Sequence, residues 1–178
     1  AGAQILVNTI SHVKVALSLD ERHYGWVMSA FALGGGIAAF FSSRLDRTPS
    51  RARSLLFGAA TLGVAVALAQ RVSYPAFVGL WWAAGAGQTL AEIASETLIG
   101  ENIEASDQGK VFGTHFAVSH VWWAMSYPIA GRLGQLYPSQ TFLWSGLAVL
   151  GGSLLLLIFT VTFGWRQPGT VFGSGENP

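Results

Sequence analysis

Six apolar stretches, each about the 17 to 25 residues that a helix needs to cross a bilayer, constrain this chain more than any other feature. They run from Ala1 to Leu19, Tyr24 to Ser43, Ser54 to Gln70, Pro75 to Ile99, Val111 to Gly134 and Thr141 to Trp165. Between them lie charge and turn residues: Asp20-Glu21-Arg22, the stretch from Arg44 to Arg53, Arg71-Val72-Ser73, Gly100 to Lys110, and Tyr137-Pro138-Ser139. Hydrocarbon offers no water to backbone polar groups, so a crossing segment must satisfy its own hydrogen bonds as a helix. Of the 178 residues, 51% are hydrophobic and 11% charged, against roughly 25% charged in an ordinary soluble domain. The expectation is an all-α integral membrane domain of six transmembrane helices over residues 1–166, followed by a flexible tail over 167–178.

Short connections make successive helices antiparallel, and Lys and Arg positions set their direction. Starting the first helix in the cytoplasm places Arg44, Arg47, Arg51, Arg53, Lys110 and Arg166 inside, against Lys14, Arg22, Arg71 and Arg132 toward the outside. That bias predicts a multi-pass plasma-membrane protein, the bacterial inner membrane, with both termini cytoplasmic. The chain opens on Ala1 with no basic segment before its first apolar run, which is not a signal peptide and reads as a piece of something longer. Cysteine is absent, which removes disulfides, thiolate metal sites and a cysteine nucleophile. The net charge of +1 is not gathered into a basic stripe, so a nucleic-acid partner is not expected.

In a bilayer a polar side chain is costly unless it faces protein or water, so polar stripes mark inward faces. The sixth segment is nearly all apolar and the third adds little beyond Thr61, which marks both as outer helices. Gln4, Asn8 and His12 recur at i, i+4 on the first segment, with Ser11 beside them. The fourth carries Gly85, Gln88, Glu92, Ser95 and Glu96. On the fifth, His115, Ser119, Trp122 and Ser126 form one stripe, and Phe116, His120, Trp123 and Tyr127 its neighbour. Gly34-Gly35-Gly36 lets the second helix approach closely, and Pro128 predicts a kink in the fifth. Interhelical hydrogen bonding is the plain explanation of any single Ser, Thr, Asn or Gln. Two carboxylates and three histidines on inward faces point to function.

This organisation resembles the second six-helix half of a major facilitator superfamily transporter. Ser42-Ser43-Arg44-Leu45-Asp46-Arg47-Thr48-Pro49-Ser50-Arg51 is similar to a degenerate copy of that superfamily's Gly-rich, Asp-Arg, Gly-Arg loop signature, with Ser in place of glycine and one residue missing before Asp46. Glu21-Arg22-His23-Tyr24-Gly25-Trp26 leads into a small-residue helix as at the same point of such transporters. The run Gly109 to Trp123, followed by Tyr127-Pro128-Ile129-Ala130-Gly131, is similar to a helix of exporters linked to nickel or cobalt resistance. The resemblance covers Ile5 to Trp165. It implies that the first, second, fourth and fifth helices line a central path or its gates while the third and sixth lie outside. It also implies twelve helices in the working unit, so the partners are the bilayer, a missing six-helix half from the same or a second chain, and a small solute or metal ion.

The implied mechanism is alternating access around a midplane site. A gradient would drive it, since no Walker-type phosphate loop is present, and no cofactor is called for. The expected substrate pathway comprises Gln4, Asn8, His12, Gln88, Glu92, His120 and Trp123, and the expected coupling or cytoplasmic gate comprises Arg44, Asp46, Arg47, Glu92, Glu96 and His115. Glu92 and Glu96 either load protons or pair with Arg44 or Arg47 as the ionic latch that the resemblance implies; pairing is preferred because intramembrane charges find partners. His12 and His120, both read as lying near mid-membrane, are the candidate ligands for Ni²⁺, Co²⁺ or Zn²⁺, the alternative being hydrogen bonding or proton handling. His23 reads as solvated. Trp81, Trp82, Trp144 and Trp165 read as interface anchors, while Trp122 and Trp123 either line a cavity or pack.

An exporter of divalent metal is therefore weighed against an exporter of organic molecules such as a drug or siderophore, which the aromatic residues of the fifth helix would suit. A non-transporting scaffold subunit is the other class. An intramembrane protease is disfavoured: there is no Gly-x-Ser-Gly, no His-Glu-x-x-His and no Asp inside an apolar segment.

Overall fold

The computed structural model describes residues 1–45 and 51–163. They form six helices and, among the described residues, no strand. In chain order these are α1 (Gly2–Ser11, prolonged by a π-helical turn His12–Ala16), α2 (Glu21–Leu45), α3 (Arg51–Leu68, closed by a 3-10 turn Ala69–Arg71), α4 (Tyr74–Glu101), α5 (Gln108–Leu136) and α6 (Thr141–Phe163). Asp46, Arg47, Trp165, Arg166 and the tail 167–178 lie outside the described residues, as does the side chain of Arg44.

Among the described residues, three helices are long and apolar enough to cross a membrane: Glu21–Ser42, Arg51–Arg71 and Thr141–Thr162. Large apolar side chains stand open on them, with Trp26, Phe57 and Leu155 each 69% exposed and Val161 76% exposed. Water would penalise such area by about 25 cal/mol per Å², and soluble monomers rarely expose contiguous apolar patches beyond a few hundred Å². Faces of this kind suit a membrane environment rather than water. With 28 residues in α4 and 29 in α5, both exceed a spanning length. Their lower apolarity comes from the polar residues noted above, Gln88, Glu92 and Glu96 on α4 and His115, Ser119, His120, Ser126 and Arg132 on α5.

Glycine sets the packing of the central helices. A Cβ on Gly85 would run into the carbonyl of Phe31, and one on Gly34 into the carbonyl of Trp82, so α2 and α4 meet backbone to backbone. On the other side of α4, Gly58 and Gly87 face each other, each Cβ position lying 2.6 Å from the other's carbonyl oxygen. α4 is thus held between α2 and α3, α3 passes on to α6, and α1 lies along α5. Small residues permit this approach, which dispersion then rewards in the absence of a hydrophobic driving force between helices. Gly36 has nothing near its Cβ position and stands on the opposite side of α2. The three-glycine run therefore serves one interface with two of its members.

The first segment departs from expectation. Instead of continuing to Leu19, the helix widens at His12, whose carbonyl accepts the Leu17 N–H at 3.0 Å, and the chain turns through Ser18 at φ 54°. Asp20 then starts α2 earlier than the apolar pattern predicts: its Oδ1 accepts the N–H of Arg22 at 3.1 Å and of His23 at 3.3 Å. Such a side-chain cap satisfies donors that a helix start leaves open. α5 continues through Pro128 as one helix.

The core gathers at the end of the bundle that holds the α1–α2, α3–α4 and α5–α6 connections. Phe77, Trp81 and Phe142 are fully buried there, with Phe77 and Trp81 centroids 4.1 Å apart and Trp81 edge-on to Phe142 at 5.1 Å. Trp81, expected at an interface, is a core residue; Trp82 and Trp144, at 43% and 57% exposed, remain on the surface. Adjacent tryptophans on a helix point about 100° apart, and length counting cannot tell which one faces inward.

Candidate functional site

The inward-facing polar residues read from the sequence fall into two groups, divided by what covers them. Gln4, Asn8 and His12 on α1 are all buried inside this bundle. Asn8 donates through Nδ2 both to Gln4 Oε1 and, at 2.9 Å, to the carbonyl of Ala130 on α5. Gln4 Oε1 also accepts from Thr141 Oγ1 at 2.9 Å, which brings in the start of α6. Beside them Thr9 Oγ1 accepts the indole N–H of Trp81 at 3.1 Å, tying α1 to α4. Four helices are joined through one polar seam.

His12 closes that seam at the π-helical turn. Its ring lies 5.0 Å from Phe77 and 5.3 Å from Phe142, and its buried Nε2 has no hydrogen-bond partner among the described residues. The α1 stripe is thus a packing face: the i, i+4 spacing identified one side of the helix correctly, but periodicity does not say what covers that side. Thr141, Trp81 and the Ala130 carbonyl escaped the sequence reading because their partners lie 137, 72 and 122 residues away along the chain.

The second group stands on open faces of α4 and α5. Gln88 donates through Nε2 to Glu92 Oε1 at 2.9 Å, while its Oε1 is buried without a partner among the described residues. A Cβ placed on Gly2 would meet Trp123 at 2.8 Å and Gln88 Oε1 at 3.5 Å, so α1, α4 and α5 converge here. Trp123 continues to Tyr127, whose ring lies 5.6 Å away. Below them His120 stacks on Phe116 at 3.8 Å and places Nδ1 2.8 Å from the Phe116 carbonyl. A carbonyl only accepts, so Nδ1 carries a proton in this contact. A recess of about 370 Å³ opens beside Trp123, lined also by Ala1, Gly2, Ala3, Ser119, Trp122 and Ser126.

Glu92, Glu96, His115 and His120 are exposed on this bundle. Among the described residues neither Glu92 nor Glu96 forms an ion pair. Of their expected partners, Arg47 lies outside the described residues, as does the side chain of Arg44; the expected gate residue Asp46 lies outside them too. The described pair at this end joins Arg51 at the start of α3 to Glu101 at the end of α4. No periodicity signals it, because each residue sits at a helix terminus.

His12 and His120 do not come together. Asn8 lies beside Ala130 and His12 one turn further on, whereas His120 precedes Ala130 by ten residues on α5, which runs parallel to α1 with Gly2 against Trp123 and Asn8 against Gly134, a separation of roughly 20 Å along the axis at 1.5 Å per residue. Among the described residues, no three of His, Asp and Glu converge on a metal-sized site. At the far end His23, read as solvated, holds Asp20 at 2.6 Å through Nδ1 and stacks edge-on against Tyr74 at 4.9 Å. The His23 side chain so bonded keeps the Asp20 carboxyl below its ordinary value.

The family model described as Major Facilitator Superfamily matches residues 1–175. No curated protein and no solved structure matches the chain.

Proposed function

The chain belongs to the major facilitator superfamily, and on that premise we propose that this membrane transporter domain is one six-helix wall of a secondary active transporter working by alternating access. A second six-helix wall faces it, and a proton or ion gradient supplies the energy. One observation carries the assignment of the path. Gln4, Asn8 and His12 of α1 are covered by their own bundle, while Glu92, His115 and His120 stand exposed on α4 and α5, with Gln88 and Trp123 half-buried beside them. A residue buried within one wall cannot touch a solute passing between two walls. A charged or polar residue left open at membrane depth requires water or a polar partner opposite it.

The path reading thus keeps Gln88, Glu92, His120 and Trp123, and gives Gln4, Asn8 and His12 the task of holding α1 to α5 and α6. Glu92 is the coupling candidate, because among the described residues its carboxylate stands beside the uncharged amide of Gln88. The separation of His12 from His120 favours an organic solute over a metal ion held by those two rings.

The absence of cysteine allows a clean test by single-cysteine labelling in native membranes. With Glu92→Cys, His120→Cys, Asn8→Cys and Leu155→Cys, a membrane-impermeant maleimide is expected to react at positions 92 and 120 and to leave 8 and 155 unmodified. Labelling at 92 and 120 as slow as at Leu155 would place that face against lipid and end the proposal.

A further inference from the structure

α3, α4 and α6 enclose a narrow cleft that none of the residues assigned to the solute path lines. Leu55 and Leu56 of α3, Leu98 and Ile99 of α4 and Leu156 of α6 make its walls, and its volume is about 230 Å³. Two polar side chains, Ser95 and Thr160, interrupt the lining. Thr160 Oγ1 donates to the Leu157 carbonyl at 2.8 Å, which commits its hydrogen to its own helix. Beside these walls Phe57, Leu155 and Phe159 are 60 to 69% exposed, so the cleft is bordered by open apolar surface.

Its mouth carries charge. Ala52, in the first turn of α3, completes the lining, and an arginine stands on either side of it in the chain. Arg51 is paired with Glu101 at the end of α4. Arg53 is exposed and forms no ion pair among the described residues. It precedes Leu56 by three positions and the exposed Phe57 by four, so it shares the outward side of α3 that borders the cleft. A guanidinium so placed rests its stem on apolar surface while its head reaches polar surroundings.

These features decide what fills the cleft. A helix with its side chains is about 10 Å across, whereas a cube of this volume is about 6 Å on an edge, so no partner helix enters it. Compact organic ligands take sites of about 300 to 1,000 Å³ with a few convergent polar groups, and this lining is smaller and nearly bare of them. An extended hydrocarbon chain matches the width and gains dispersion contacts from three helices at once. The unpaired arginine at the mouth selects the headgroup, because its fork of donors matches a phosphate. The geometry points to a binding site for an anionic phospholipid, one acyl chain lying between Leu55, Leu98 and Leu156 and the phosphate meeting the Arg53 guanidinium. The site is separate from the solute path and stands whether or not that path reading holds.

Lipid-dependent melting of the purified full chain in a nonionic detergent tests the assignment. Far-UV circular dichroism follows unfolding as dioleoyl phosphatidylglycerol, dioleoyl phosphatidylcholine or inorganic phosphate is added. A ligand that binds the folded chain alone raises the melting midpoint as its concentration exceeds Kd. Phosphatidylglycerol is expected to act at concentrations about fivefold below those phosphatidylcholine requires, the effect of one arginine, and inorganic phosphate to do nothing. Arg53→Gln should raise the phosphatidylglycerol requirement to that of phosphatidylcholine, whereas Arg71→Gln, in the turn that closes α3 at its other end, should leave the difference intact. Ala52→Phe sets a ring in the mouth and should abolish the response to both lipids. Equal responses to the two lipids in the parent, an Arg53→Gln variant that still distinguishes them, or an undiminished response in a folded Ala52→Phe variant would each overturn the inference. A shift by inorganic phosphate as large as that by phosphatidylglycerol would make this a free-anion site and overturn the lipid assignment. If Ala52→Phe fails to fold, the comparison of Arg53 with Arg71, both exposed, decides by itself.

Discussion

The contact between Asn8 and Gly134 offers a sharp test of the buried seam. The Asn8 amide lies directly over Gly134, so close that a Cβ added there would overlap Oδ1, and the same amide bonds the Ala130 carbonyl at 2.9 Å. Asn8→Ala removes that interhelical bond, worth about 0.6 kcal/mol on average and up to about 1.7 kcal/mol between membrane helices. It also opens a small void, while Gln4 keeps its bond from Thr141. The expected loss is about 1 to 2 kcal/mol. Gly134→Ala alone forces the amide aside and costs about 1 to 3 kcal/mol by overpacking. Together the two changes partly cancel, because the new methyl occupies space that the amide has left. The double variant should therefore be more stable than the sum of the single effects by about 1 kcal/mol or more, within the range found for residues in contact. Reversible unfolding in mixed micelles, followed by far-UV circular dichroism, measures all four corners of the cycle. Additivity to within about 0.3 to 0.5 kcal/mol, the behaviour of independent sites, would refute the stated packing of α1 on α5.

Other perturbations follow from the same geometry. Gly85→Ala sets a methyl against the Phe31 carbonyl and should destabilise by about 1 to 3 kcal/mol, whereas Gly36→Ala, with open space around it, should stay within about 0.5 kcal/mol of the parent in the same micelle assay. His12→Phe keeps a ring between Phe77 and Phe142 and removes the orphaned Nε2, so stability is expected to hold or rise and solute flux in proteoliposomes to persist; abolished flux in a stable variant would return His12 to the path. The Asp20 carboxyl is held below its ordinary value when folded. Its contribution is therefore fully present above the ordinary carboxylate value and disappears as pH falls through the lower folded-state value. Melting curves of Asp20→Asn should lack that acid-side component, and an unchanged acid profile would contradict the cap.

Much was legible before any coordinates. Apolar runs of spanning length made helices unavoidable, and the breaks at Asp20, Arg71 and Tyr137 marked their ends to within a turn. Where boundaries shifted, a local hydrogen bond outweighed the apolar pattern, as when the Asp20 cap drew Glu21 into α2. The bareness of α6 was readable as a face unsuited to water, and Leu154 to Ile158 do stand in the open.

The division of the polar residues was not legible, and the reason is geometric. An i, i+4 stripe states that Gln4, Asn8 and His12 share a side of one helix, and likewise Gln88 and Glu92. Whether that side meets another helix or an open path depends on which helix arrives there, and the partners arrive from as far away as Thr141 and Ala130. The same limit separated His12 from His120: each helix reports its own depth scale, and only the parallel docking of α1 on α5 aligns the two scales. The sequence by itself determined that this chain enters a membrane as helices and which residues are too polar to face lipid. The tertiary structure alone decided which of those residues hold the bundle together and which it leaves exposed, because that choice is made by contacts between segments distant in the chain.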